Sequence, residues 1–121
     1  MTSAITIPTT DAGKPRKPLG VVWYADEAAY RAVAHLCGDM DAEAYAAWLE
    51  AAESAVGADV LGVPRTSVPI DAQALSDWCA AKHVVPNGAA RSRFVLERVE
   101  AAFDEAWKAW KADKKPRRKL W

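Results

Sequence analysis

Six tryptophans stand in a chain of 121 residues whose other apolar positions are largely alanine. Alanine favours helix but brings little burial energy. The large apolar groups that close a core must therefore come from few places. Trp23, Trp48, Trp78, Trp107, Trp110 and Trp121 are the evident anchors. A buried indole also needs an acceptor for its N–H, so each predicts a polar neighbour. The chain is long enough for one domain.

The helices announce themselves by caps and stripes. Asp26 fits an N-cap, and Tyr30, Val33, Leu36 and Cys37 then share one face of a helix over 27–37, which Gly38 stops. Asp41 predicts a second helix over 42–56, with Tyr45, Trp48, Leu49, Ala52 and Val56 as its stripe. Asp71 predicts a third over 72–83, with Leu75, Trp78 and Cys79 inward. Asn87 caps a long last helix over 88–112, whose stripe is Val95, Leu96, Val99, Phe103, Ala106 and Trp110. Short strand-like runs precede the first and third helices, Val21 to Tyr24 and Thr66 to Ile70. Pro69 confines the second run to an edge or a strand end.

The fold class expected is α+β, mostly helical, with two short strands and four helices in β-α-α-β-α-α order. The two halves resemble each other in an Asp after each strand and a Cys deep in the next helix. That pattern fits either a worn duplication or two unrelated β-α-α units. Residues 1–19, with Pro8, Pro15 and Pro18, predict a flexible arm. The folded domain is expected over 20–112 and a basic tail over 113–121.

A net charge of zero conceals strong segregation. Residues 1–20 carry three basic and one acidic group, +2. Residues 21–106 carry six basic and fourteen acidic, −8, and residues 107–121 seven basic and one acidic, +6. Such a layout speaks of partners rather than of fold. The opening residues lack a basic start followed by an apolar run, and no apolar stretch approaches the ~18–20 residues of a membrane span. With Cys37 and Cys79 read as reduced thiols, the expectation is a cytoplasmic protein.

The run from Val68 to Phe94 contains Pro69-Ile70-Asp71, Trp78-Cys79 and an Ala90-Arg91-x-x-Phe94 spacing. With Trp23-Tyr24 and the helix around Trp48, it resembles a group of small uncharacterised proteins from GC-rich bacteria. The resemblance spans about residues 20–100 and rests on packing and capping residues. It implies no activity, cofactor or site residue.

Three patterns bear on chemistry. Residues 72–98 have the element order of a helix-turn-helix, which puts Asn87, Arg91, Ser92 and Arg93 on the first turns of the second helix, where base-reading side chains project. Val84 stands where such turns carry glycine, and the acidic body repels phosphate, so an ordinary hairpin with Arg91 and Arg93 solvated or paired to Glu97 is the competing reading. The tail interleaves Lys108, Lys111, Lys114, Lys115, Arg117, Arg118 and Lys119 with Trp107, Trp110 and Trp121. Cations beside aromatics suit single-stranded nucleic acid or an acidic protein, and a basic helix end also simply answers the helix dipole. Docking on a membrane surface needs a longer apolar face than this tail has. His35 with Cys37, and Cys79 with His83, raise a metal site, but the first pair diverges on a helix and no finger-type spacing occurs. Buried thiols and surface imidazoles are expected, with no metal and no cofactor.

No Gly-rich phosphate loop is present, and the acidic pairs sit at helix starts or on exposed faces. The expected function is therefore that of a non-enzymatic accessory or binding protein. It engages a macromolecular partner, a protein in preference to nucleic acid, through Arg91, Arg93, Trp107, Trp110 and the basic tail. The alternative is a nucleic-acid-binding regulator, with a small enzyme as the third reading.

Overall fold

The computed structural model describes residues 5–57 and 62–114. Its elements are β1 (Leu19–Trp23), α1 (Glu27–Cys37), α2 (Tyr45–Gly57), β2 (Arg65–Pro69), α3 (Ala72–Lys82) and α4 (Gly88–Lys114). The protein is thus α+β and mostly helical, with the expected element order. The two strands pair in parallel, Leu19 opposite Arg65 through Trp23 opposite Pro69. Parallel neighbours need a crossover, and α1 with α2 supply it.

Each strand leads into a capped helix at the same end of the sheet. The Ala29 N–H donates to the Asp26 carboxylate at 2.8 Å, and the Ala74 N–H to Asp71 at 2.9 Å. Gly38 ends α1 in the left-handed region at φ 75°. His83 ends α3 in the same region at φ 59°, an uncommon conformation for a residue with a Cβ.

The sheet lies between α4 and α2. Val68, Ile70, Phe94, Val95 and Val99 are buried between the strands and α4. Gly20 makes that approach close: a Cβ there would stand 2.6 Å from Val95 Cγ1 and 2.8 Å from Val99 Cγ2. On the other face Trp23 meets Trp48 of α2 edge-on at 5.2 Å, and the Arg65 guanidinium donates to the Ala55 carbonyl at 2.9 Å. Trp48 also touches Tyr24, Tyr30 and Tyr45, making one aromatic cluster of five rings.

Several boundaries differ from expectation. β1 and β2 begin earlier than Val21 and Thr66. α2 begins at Tyr45, because the Asp41 carboxylate turns back to the Glu43 N–H at 2.9 Å while its carbonyl takes the Tyr30 hydroxyl at 2.9 Å. Asp41 therefore closes a local turn before the helix. α4 runs to Lys114, two residues past the expected end. Leu96, placed on the inward stripe, is 51% exposed, since the buried face at that turn belongs to Val95 and Val99.

The arm expected over 1–19 is not free of the body over the residues described. Thr9 bridges Pro15, Pro15 and Pro18 are buried, and Ile5 packs against the core. None of the tryptophans over these residues is fully buried. Tyr24, Tyr30, Phe94 and a set of aliphatic side chains fill the centre, and Trp48 and Trp78 pack at its rim. An indole keeps its N–H near polar groups that way: the Trp78 N–H donates to Glu97 at 3.0 Å.

Candidate functional site

α4 has 27 residues, which at 1.5 Å per residue makes it about 40 Å long. Its first half is built into the body through Ala90, Phe94, Val95 and Val99. Its second half carries Phe103, Trp107 and Trp110, at i, i+4 and i+7, on one side. Phe103 stacks on Trp107 with centroids 5.8 Å apart, and Trp107 meets Trp110 at 5.3 Å. All three rings are half-buried. The Trp110 indole N–H is buried and has no acceptor among the described residues.

The N-terminal segment lies along this half of the helix. The Lys14 ammonium sits 5.6 Å over the Trp107 ring, and Lys17 pairs with Glu100 at 3.3 Å. A cation over an exposed indole face contributes on the order of 0.5–1 kcal/mol. Sequence reasoning placed neither lysine here, because they come from the opposite end of the chain and no local spacing links them to α4.

Most cations of the acidic body are already engaged. Arg31 pairs with Glu27 and Glu43, Lys82 and Arg93 with Glu97, and Arg91 with Asp39. Arg16 and Arg65 donate to backbone carbonyls. Among the described residues, Lys14, Arg98, Lys108 and Lys111 have neither a carboxylate nor a carbonyl partner. Arg98 lies over the Phe94 ring at 4.6 Å. The other three gather about the second half of α4, with Lys108 and Lys111 exposed. Lys114 closes α4, and Lys115, Arg117, Arg118 and Lys119 lie outside the described residues.

Arg91 and Arg93 are placed apart from this group. The Arg91 side chain is 15% exposed and pairs with Asp39 Oδ1 at 2.7 Å, while the Gly88 N–H donates to Asp39 Oδ2 at 2.7 Å. Asp39 thus fastens the segment after α1 to the start of α4. The hydrogen bond from Arg91 holds the Asp39 carboxyl below its usual range. Arg93 stands 5.5 Å over Trp78 and 3.8 Å from Glu97. The Glu97 carboxyl is likewise held low, first by the Trp78 N–H and then by Lys82. The turn between α3 and α4 takes its left-handed residue at His83, one position before Val84.

Cys37 is half-buried and Cys79 buried, and both are free thiols. Burial pushes the Cys79 thiol up. His35 and His83 are exposed. Among the described residues no three His, Cys, Asp or Glu side chains come together as a metal site. No helix there is long and apolar enough to cross a membrane.

No family model, no curated protein and no solved structure matches this chain.

Proposed function

We propose that this chain is a non-enzymatic binding protein that engages a macromolecular partner with an acidic surface through the second half of α4 and the basic run that follows it. One observation carries the reading. Lys14, Lys108 and Lys111, three of the cations left with neither a carboxylate nor a carbonyl partner among the described residues, lie beside the Phe103–Trp107–Trp110 ladder. The sequence then adds Lys114, Lys115, Arg117, Arg118 and Lys119. Cations paired inside a body offer little to a partner, whereas unpaired cations beside aromatic rings supply both steering and contact area. A protein is favoured over nucleic acid because the Trp107 ring already carries Lys14 and is stacked on Phe103, which leaves little aromatic face for a base. Two free thiols favour a reducing, cytoplasmic setting.

The test is affinity capture from the native cell, with the parent chain and with Lys108→Glu/Lys111→Glu, each with and without nuclease. The expected result is a protein held by the parent, insensitive to nuclease and lost with the double variant. Equal capture by both chains contradicts the reading. Loss on nuclease treatment makes the partner a nucleic acid, with a steep salt dependence.

A further inference from the structure

The charges along the second half of α4 are ordered as well as numerous. Asp104 and Glu105 come first, Lys108 and Lys111 follow, and Asp113 and Lys114 close the helix, with Asp113 on the side away from Lys111. The helix dipole favours the lysines of the last turn but does not account for the two acids, which stand in the middle of the helix. Internal pairing does not account for them either. Asp104, Glu105, Lys108 and Lys111 are exposed, and none makes an ion pair among the described residues. Asp104, Lys108 and Lys111 follow at steps of four and three, with Trp107 between them, so they share one stripe beside the ladder.

A stripe that is acidic first and basic last is complementary to itself when reversed. We propose that this stripe is a self-association surface whose occupant is a second copy of the same chain, with the two α4 helices packed antiparallel about Trp107 and Lys108. In that register Asp104 faces Lys111 of the second copy, Lys111 faces its Asp104, and the two Trp107 rings lie near the twofold axis. The contact is isologous, so it closes at two copies. The Asp104–Lys111 pairs fix direction and register. Lys14 stays on its own face of Trp107. A seam of three to four turns buries on the order of 1,000 Å² in total, the low end for specific pairs, so the dimer is a weak one. The inference rests on reading this half of α4 as a docking surface, and it names what covers part of it.

The experiment is sedimentation of the full chain from about 1 to about 500 µM, where weak pairs form. The mass is expected to rise from one chain toward two. Asp104→Lys and Lys111→Glu should each weaken self-association roughly tenfold or more, since each sets two like-charge contacts across the axis. Mixing these two variants should restore pairing, because both contacts then become attractive. The double variant Asp104→Lys/Lys111→Glu should pair with itself. These positions are exposed, so all variants should melt close to the parent. A parent chain that stays monomeric at the highest concentration overturns the inference, as does a dimer that neither single variant weakens or that the mixture fails to restore. Asp104→Lys separates this inference from the docking reading: it breaks the pair but adds a cation, so capture of the acidic partner should persist. A monomeric parent that still captures its partner through Lys108 and Lys111 overturns the pairing alone.

Discussion

Asp39 does two jobs with one carboxylate: one oxygen takes Arg91 and the other takes the first N–H of α4. Its pKa is lowered in the folded protein, so its contribution is present above the ordinary carboxylate range and is lost as pH falls through the lowered value. Asp39→Asn should therefore lower the melting point at pH 7, by an amount worth about 0.5–1 kcal/mol after allowing for its exposure. The gap to the parent should close below about pH 4. Melts of the two proteins across pH check it, and a gap that persists into acid would assign the effect to shape rather than charge. Trp48 stands at the other extreme, with four aromatic neighbours. Trp48→Ala should cost about 3–5 kcal/mol in a denaturant or thermal melt. At this scale the sequence was readable where a residue acts on its neighbours. The caps Asp26, Asp71 and Asn87 hold as expected. It was not readable where a partner comes from far along the chain, as with Arg91 and Asp39 or Lys14 and Trp107.

The elements follow from periodicity, and their edges follow from competition for hydrogen bonds. All four helices were legible because apolar stripes and stop signals agree. The late start of α2 was not, because Asp41 has two uses for its polar groups and only the fold selects between them. The strands were legible as runs, but their ends depend on where the parallel partner stops. Gly20 is the sharpest constraint between elements, since α4 packs on β1 through the space a Cβ would fill. Gly20→Ala should destabilise the protein by about 1–3 kcal/mol through overpacking, despite alanine's lower backbone entropy. Pairing it with Val95→Ala should recover part of that loss. A neutral Gly20→Ala would mean that α4 slides freely on the sheet. The outward turn of Leu96 belongs to the same geometry: with Val95 and Val99 turned toward Gly20, Leu96, one step round the helix from Val95, faces out.

At the scale of the molecule, the cations of the acidic body and those of the second half of α4 differ in what they pair with. Inside the body, carboxylates absorb Arg31, Lys82, Arg91 and Arg93. Along the second half of α4 they do not absorb Lys108 or Lys111. The charge layout was legible in composition alone, but which cations stay unpaired was not, because that depends on which helices meet. The two arginines singled out in the sequence turn out to be tied into the body, while Lys108 and Lys111 stay exposed. The central claim is that the basic end of α4 serves a partner rather than the fold. Its most direct test is truncation after Ala112, which removes five basic groups and one acidic, a change of −4. The shortened chain should melt within a few degrees of the parent and lose most of its partner in affinity capture, with the salt dependence of the remaining binding flattened. A truncated chain that captures the partner as well as the parent, or that no longer folds, would contradict the account.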